Sequence, residues 1–364
     1  MTADEKTPRI TAKGIVFAVL ISLVVGVGLS EALLRVVMPD WREFYSGRFM
    51  TGVTVPGHSP VMTGRPGFDG YFSQNNGDFR VRLQLNELGH RNPEPAAAAN
   101  GQIWVIGDSM TFGWGVERAE MYSEVLEKRL NAPVYNLASP GTDICGYQTM
   151  LAQMPKDALP RAIVVGLILE NDVRMYDCPA EARESAVQRK ARPDDSSAIS
   201  LLEIKQYATQ KLALYNFFAV SLKRVAFVQD LLIRIKFLNK PHVVNRRVAP
   251  EQLPALAAST VNELVRLNSM LPASVPFLVM VVPTRFEIRD GTQLYRDLRR
   301  AVMNELARRG IPAVDLLPAF TAAGFGPTHF KHDGHWSVLG HRIAADAVAG
   351  GLKITRRATQ IPKP

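Results

Sequence analysis

The sequence begins with polar residues and continues into a long, mainly apolar run that is interrupted only by Ser22, Ser30, Glu31 and Arg35. Residues 14–37 read GIVFAVLISLVVGVGLSEALLRVV, and Glu31 and Arg35 are the charged positions within the run. A helix of this length can cross the hydrocarbon core of a bilayer, which is roughly 30 Å thick. We therefore expect a membrane-spanning signal anchor over residues 14–38 and a short cytoplasmic tail, residues 1–13, before it.

The charges that flank the helix favour one orientation. Lys6, Arg9 and Lys13 precede the span, and basic residues tend to stay on the cytoplasmic side. We expect one pass through the inner (cytoplasmic) membrane and the rest of the chain outside the cytoplasm, periplasmic in a Gram-negative source. A cleaved signal peptide is the alternative, although residues 30–32, Ser-Glu-Ala, make a poor cleavage site.

Residues 39–100 have a different pattern. They are rich in Gly, Pro and Asn, and one alternating run, Phe79–Asn86, is typical of a strand. We interpret this region as a stalk followed by a small β-rich lead-in.

Beyond residue 100, short apolar runs alternate with amphipathic helical patterns. Five of these runs predict strands: Gln102–Ile106, Val134–Leu137, Ala162–Leu169, Phe277–Val282 and Ile311–Val314. Strands that alternate with helices indicate a mainly parallel sheet covered on both faces. The sequence therefore predicts an α/β fold, a three-layer α/β/α sandwich with a five-stranded parallel sheet, over residues 101–352. Residues 353–364 would form a C-terminal tail.

A long segment between the third and fourth strands breaks the alternation. Residues 178–249 predict a helical insertion that is amphipathic over residues 201–238. It could cap the site, lie on the membrane, bind a partner or pack onto the core. Of the net charge of +9, much lies here, since residues 180–249 hold 13 Lys or Arg against 6 Asp or Glu.

This basic excess suits anionic lipid headgroups or an acidic polysaccharide. A merely solvated basic face is the simpler alternative, and nucleic acid is not expected as a partner of an exported domain. The two cysteines, Cys145 and Cys178, could pair in an oxidising compartment. Two separate thiols are the alternative, because spacing along the chain does not show distance.

The strongest chemical signal lies where the first strand of the sheet ends. Residues 103–116 read IWVIGDSMTFGWGV, so Gly107, Asp108 and Ser109 follow an apolar strand and precede a glycine-rich turn. Ser109 is therefore predicted at the carboxyl edge of the sheet, where open α/β sheets bind ligands. Asp108 is expected to orient the turn. A serine hydroxyl is a weak nucleophile until a positioned base takes its proton.

The candidate base lies near the end of the chain. Residues 331–341 read KHDGHWSVLGH. His335 is predicted to accept the Ser109 proton and to return it to the leaving group. Asp333 would fix the tautomer of the imidazole and stabilise the imidazolium.

Acyl transfer also requires donors where the carbonyl oxygen becomes negative. Three candidates follow strand ends: the backbone N–H groups of Ser109 and Gly141 and the side-chain amide of Asn171. In the flavodoxin-like order 2-1-3-4-5 the first and third strands are neighbours, which would place Ser109 and Asn171 side by side.

These segments together resemble the blocks of the SGNH hydrolase superfamily, the GDSL-type lipases and esterases. The resemblance covers roughly residues 102–350 apart from the insertion, and it implies a serine nucleophile with Asp333 and His335 as its partners. The lead-in sequence at residues 86–93 also resembles that of membrane-anchored bacterial members.

Two positions depart from the family pattern. Many members have glycine where this chain has Leu169, so the turn before Asn171 could differ. The terminal block is Asp333-Gly334-His335 rather than Asp-x-x-His, a form similar to that of alginate and other polysaccharide O-acetyltransferases. This second departure favours a glycan substrate.

The same stretches of sequence allow other roles. Asp315 also follows a strand and is a rival acid, whereas Trp114 and Trp336 are expected to pack rather than to stack on substrate. A zinc site is the other alternative, although it leaves Ser109 unexplained, and we expect neither a metal nor another cofactor. Its ligands would come from one crowded stretch: His329, His332, Asp333, His335 and His341.

The sequence therefore predicts a serine esterase that hydrolyses short-chain O-acyl esters on cell-envelope glycans or lipids through an acyl-serine. An O-acyltransferase acting with envelope polysaccharide machinery is the first alternative, because the same residues serve both reactions. A non-catalytic envelope protein that binds glycans or assists assembly is the second.

Overall fold

The computed structural model describes residues 11–74, 77–191, 201–221, 231, 234 and 248–360. The remaining residues include parts of the predicted insertion, which therefore lie outside the described chain. Two compact units are present, one formed by residues 1–45 and 197–238 and the other by residues 46–196 and 239–364.

The first unit is built around the helix Ala12–Val37. Thr11 caps its start, since the side-chain oxygen accepts the Gly14 N–H at 3.2 Å. An 18-residue window of this helix has a mean hydropathy of 2.3, and the helix has no buried residue, so it is long and apolar enough to cross a membrane. Among its described residues this unit also has the turn Trp41–Phe44, the helices Leu201–Lys211 and Ala213–Asn216, and the π-helical turn Phe217–Ser221.

The second unit begins with two antiparallel strand pairs. Strand β1 (Met50–Val53) pairs with β2 (Val61–Gly64), and β3 (Asp69–Ser73) pairs with β4 (Arg80–Gln84). The sequence predicted one strand here, and the structure has four. The other three are four or five residues long, too short for alternation to separate them from loops.

The central sheet has five parallel strands in the order β6-β5-β7-β8-β9. This is the flavodoxin-like order 2-1-3-4-5, so the predicted sheet is confirmed. The strands are β5 (Ile103–Ile106), β6 (Val134–Asn136), β7 (Ala162–Ile168), β8 (Phe277–Val282) and β9 (Ala313–Asp315).

Helices cover both faces of this sheet, which explains why β5 to β8 are buried throughout. One apolar core lies beneath Ile144–Ala152, Leu253–Ser269 and Gln293–Arg308, and the other beneath Tyr122–Leu130 and Val338–Gln360. The remaining α-helices of this unit are Ser109–Phe112, Cys178–Ala191, Arg285–Asp290, Leu317–Ala323 and Phe325–Thr328.

The last helix runs from Val338 to Gln360. Gly351 lies within it and packs against the sheet. A Cβ atom there would lie 2.4 Å from the Val314 side chain. Gly351 thus allows the helix to approach β9 closely and does not end it.

A disulfide joins Cys145, in the helix Ile144–Ala152, to Cys178, the first residue of the helix Cys178–Ala191, with the Cα atoms 5.2 Å apart. Both residues are buried. The bond therefore ties the segment after β6 to the segment after β7, on the same side of the sheet as Ser109.

We predict that reducing this bond lowers the free energy of unfolding by roughly 3–4 kcal/mol, because the cross-link restricts a loop of 33 residues in the unfolded chain. Urea unfolding of the solubilised protein with and without a phosphine reductant measures the change. The double variant Cys145→Ser/Cys178→Ser should unfold at the same urea concentration as the wild type with its disulfide reduced, and adding the reductant should not change its midpoint. A wild-type midpoint that reduction leaves unchanged would contradict the prediction.

Candidate active site

Ser109 is presented by a tight turn between β5 and the helix Ser109–Phe112. Asp108 caps this helix, since its Oδ1 accepts the Met110 N–H at 2.9 Å. Gly107 must be glycine here, because a Cβ atom would lie 2.2 Å from the Thr111 hydroxyl. The helix ends after one turn at Gly113, which has a left-handed φ of 83°.

His335 and Asp333 meet Ser109 from the other end of the chain. The distance from His335 Nε2 to Ser109 Oγ is 2.9 Å. The other ring nitrogen, Nδ1, hydrogen-bonds Asp333 Oδ1, which also accepts the His335 backbone N–H at 3.3 Å. A proton on Nδ1 leaves Nε2 to accept from the hydroxyl, which is the arrangement that a general base requires.

The rival acid Asp315 lies in a different network. Its carboxylate pairs with Arg299 at 2.6 Å and accepts the Leu317 N–H at 2.9 Å. It therefore stabilises the end of β9, and Asp333 is the carboxylate that contacts His335.

Asn171 lies beside the turn that carries Ser109, as the strand order requires. Its amide donates to Asp108 Oδ2 at 2.8 Å. Burial raises the pKa of Asp108 to about 6. Gly141 lies in the exposed turn after β6 and has a φ of 73°.

A family model matches residues 245–363, and its description is "SGNH hydrolase-like domain, acetyltransferase AlgX". The matched segment contains β8, β9 and the terminal block with Asp333 and His335. Over these residues the chain is similar to an SGNH hydrolase-like domain. No curated protein matches this chain.

Solved structures with a similar chain path include several hydrolases. A lipase/acylhydrolase from Enterococcus faecalis is 12% identical, with 70% of this chain and 96% of that chain covered and a TM-score of 0.39. A lipolytic protein of the G-D-S-L family from Veillonella parvula is 14% identical, with 70% and 98% covered and a TM-score of 0.37.

A carbohydrate esterase family 2 enzyme with a carbohydrate binding domain, from Corynascus thermopiles, is 13% identical, with 73% and 68% covered and a TM-score of 0.39. With scores below 0.5, these likenesses carry no weight for the function of this chain.

The β-rich lead-in contributes a contact to the SGNH-like site that the sequence did not indicate. Gln74, just after β3, donates its side-chain amide to Asp333 Oδ2. Close by, Asp78 accepts the backbone N–H of His332 at 3.0 Å and contacts its ring Nδ1 at 2.8 Å. Gln74 lies 259 positions before Asp333, and a local sequence pattern does not predict a contact between residues so far apart in the chain.

Arg285 packs against the Asp333-Gly334-His335 block. It pairs with Glu170, whose side chain is 7% exposed, and its Nε lies 3.0 Å from that carboxylate. Its guanidinium also packs against Gly334, where a Cβ atom would lie 2.2 Å from Nη1. Gly334 has a φ of 83°, so glycine is favoured between Asp333 and His335 for two independent reasons.

Trp114 contacts the catalytic candidates as well as packing. Its ring stacks on His335, with centroids 5.4 Å apart and planes at 28°. On its other sides it meets Phe49 and Phe72 of the lead-in. Trp336, in contrast, is buried in the core beneath the last helix.

The other histidines of the terminal stretch have separate partners. His329 contacts the Thr328 hydroxyl at 2.9 Å, and His341 accepts the Tyr122 N–H at 3.2 Å. Burial lowers the pKa of His329 to about 4 and that of His341 to about 3. Both are therefore neutral at pH 7.

We predict that Gln74→Ala lowers kcat for p-nitrophenyl acetate roughly 10- to 100-fold with little change in KM, because a hydrogen bond to a charged group contributes about 1.5–3 kcal/mol. Without this donor the Asp333 carboxylate can rotate away from His335. The matched control is Gln84→Ala, an exposed glutamine on β4 that bonds Asp69. Equal losses in the two variants, or a Gln74→Ala effect confined to thermal stability, would contradict the role.

We also predict that buried His341 makes the free energy of unfolding fall as the pH drops from about 6.5 toward 4, a contribution opposite in sign to that of Asp108, whose pKa is raised by burial. A folded-state pKa below the unfolded value means that the unfolded chain binds protons first, which removes stability. Each histidine that stays buried and neutral in the folded chain lowers the free energy of unfolding at pH 5 by about 2 kcal/mol relative to pH 7. Urea unfolding at both pH values should show a smaller fall for His341→Gln than for the wild type, and an unchanged fall would be inconsistent with a neutral buried His341.

Proposed function

We propose that this chain is a serine enzyme that acts on ester bonds through an acyl-Ser109 intermediate. The observation that carries the proposal is the continuous set of contacts from Ser109 Oγ to His335 and from His335 to Asp333. These side chains come from opposite ends of the domain and meet at the carboxyl edge of the sheet.

The first step is attack by Ser109 on the ester carbonyl. His335 Nε2 takes the hydroxyl proton as the new C–O bond forms, and Asp333 stabilises the imidazolium. The tetrahedral intermediate then expels the alcohol oxygen, which receives the same proton from His335. An acyl group remains on Ser109.

The charge on the carbonyl oxygen requires donors, and each typically contributes about a hundred- to a thousand-fold in rate. We assign this role to the backbone N–H groups of Ser109 and Gly141 and to the Asn171 amide. An amide carries two N–H bonds. Asp108 accepts one of them, which orients the other for the substrate.

The second step transfers the acyl group from Ser109 to a hydroxyl. The acceptor is either water or a sugar, and it decides which reaction the enzyme catalyses. Water gives an esterase that removes short-chain O-acyl groups from envelope glycans or lipids. A sugar hydroxyl gives an O-acyltransferase, and the match to a family described as acetyltransferase AlgX favours this candidate. The Asp333-Gly334-His335 block supports a glycan substrate in both cases.

The place of action that we propose is outside the cytoplasm, with residues 14–38 as a single-pass anchor. The support is the apolar helix Ala12–Val37 together with the basic residues that precede its core. The disulfide between Cys145 and Cys178 suits an oxidising compartment.

We predict that a fluorophosphonate probe labels the wild type and Ser269→Ala but not Ser109→Ala. Ser269 is a matched control, because it is an exposed serine at a helix end that bonds the Arg266 carbonyl. Turnover of p-nitrophenyl acetate should fall roughly a thousand-fold or more in Ser109→Ala. A folded wild type that neither labels nor turns over would exclude catalysis and favour a glycan-binding role.

The same preparation identifies the acyl acceptor. Mass spectrometry after incubation with an acetyl donor and glycan oligosaccharides should detect either acetylated glycan or free acetate alone. Acetylated glycan that depends on Ser109 establishes the transferase, and its absence while acetate accumulates establishes the hydrolase.

A further inference from the structure

The two charged residues of the apolar run are both paired. Glu31 lies 2.7 Å from Arg35, and its carboxylate accepts the backbone N–H groups of Ala213 at 2.9 Å and Leu214 at 2.8 Å. Arg35 also donates to the Lys211 carbonyl at 2.8 Å. Both charges therefore bind backbone groups at the boundary between the helices Leu201–Lys211 and Ala213–Asn216. We call this set of contacts the joint.

The bonds to Glu31 provide acceptors for backbone N–H groups at the start of the helix Ala213–Asn216, which have no acceptor within the helix. The helix Ala213–Asn216 has Leu212 at its N-cap, which offers no side-chain acceptor, and the first N–H groups of a helix need partners. Glu31 supplies that acceptor from another part of the chain. Charges within an apolar span are tolerated when they are paired in this way, so the joint fixes residues 201–221 to the helix Ala12–Val37.

The position of the joint along the helix matches a membrane boundary. At 1.5 Å per residue, Glu31 lies roughly 28 Å along the axis from Ala12. The hydrocarbon core of a bilayer is about 30 Å thick. When the helix spans the membrane, the joint is therefore at the level of the outer interface.

The segment held at this level exposes large apolar side chains. Ile204 and Tyr207 are spaced by one helical turn, as are Tyr215 and Phe218. The exposed fractions are Ile204 51%, Tyr207 66%, Leu212 45%, Tyr215 37% and Phe218 52%. Lys205 and Lys211 are exposed beside them. Aromatic and basic side chains together are typical of the interface between a membrane and water.

An apolar groove continues from this segment along the anchor. It has a volume of about 670 Å³ and is lined by Leu214, Phe218 and one face of the helix from Gly14 to Ser30. Leu214 and Phe218 therefore flank the part of the helix that hydrocarbon would surround.

We propose that residues 201–221 form an interfacial membrane-binding segment, with a bilayer containing anionic lipids as the partner. Tyr207, Tyr215 and Phe218 insert at the boundary between headgroups and acyl chains, while the lysines reach the headgroups. The inference rests on the anchoring part of the proposed function and is independent of the chemistry at Ser109. Its consequence is a second contact between the first unit and the membrane.

Spin labels on single added cysteines test this directly, because the native cysteines are paired in the disulfide. The full chain carries the label at Tyr207→Cys or Phe218→Cys, in vesicles of phosphatidylethanolamine and phosphatidylglycerol. Val24→Cys reports the middle of the anchor and Arg300→Cys, on an exposed side chain, reports water. Labels at 207 and 218 should be more accessible to oxygen than to a nickel chelate, as we expect for the label at 24. The label at 300 should be more accessible to the nickel chelate than to oxygen.

Each other outcome overturns the proposal for a separate reason. Nickel access at 207 and 218 equal to that at 300, with 24 embedded, places the segment in water. A label at 24 that is accessible to the nickel chelate would show that the helix Ala12–Val37 does not span the membrane. Spin–spin broadening with little access for either reagent identifies a second copy of this chain as the occupant. Fluorophosphonate labelling of the same variants reports the state of Ser109 independently.

A second variant tests the joint. Glu31→Gln weakens the acceptor for Ala213 and Leu214, and it should raise the nickel accessibility of the labels at 207 and 218 at least about threefold while Val24→Cys stays embedded. Unchanged accessibility would show that Glu31 does not hold the segment at the interface.

Discussion

The site depends on how the carboxylate of Asp333 is satisfied. One oxygen accepts from the ring and backbone of His335, and the other accepts from Gln74. The side chain is only 9% exposed, and a carboxylate with little water around it needs such donors to stay charged. The donors arrive from two parts of the chain, so the lead-in belongs to the site as much as the terminal block does.

The surrounding packing leaves this arrangement little freedom. Arg91, also from the lead-in, is buried and donates to the carbonyls of Gly113 at 2.5 Å and Val116 at 2.8 Å. Burial lowers the Arg91 pKa to about 10, so the group is still charged at neutral pH. Arg91 thereby holds the turn after Ser109 in place, while Arg285 packs against Gly334. A hydroxyl and an imidazole positioned by such contacts need no rearrangement for the proton transfer that we propose.

Charge placement follows one rule in both units of the chain. Glu31 and Arg35 within the apolar helix, like Glu170 and Arg285 near the active site, occur as pairs that also bind backbone groups. A charge in a poorly solvated place is stable only with such partners. In both places the paired charges lie where segments distant in sequence meet.

The sequence by itself indicated the five strands of the central sheet, the apolar helix at the start and the candidate roles of Ser109 and His335. These features depend on local periodicity and on short motifs, which a single segment carries whether or not the rest has folded. The tertiary structure decided which aspartate contacts His335, because both Asp315, at the end of a strand, and Asp333, two residues before His335, were candidates in the sequence. It also decided the contacts of Gln74, Arg285 and Glu31, the close packing of Gly351 and the pairing of the cysteines. Each of these requires two segments far apart in the chain to meet, and that depends on the topology of the whole fold rather than on any one stretch of residues.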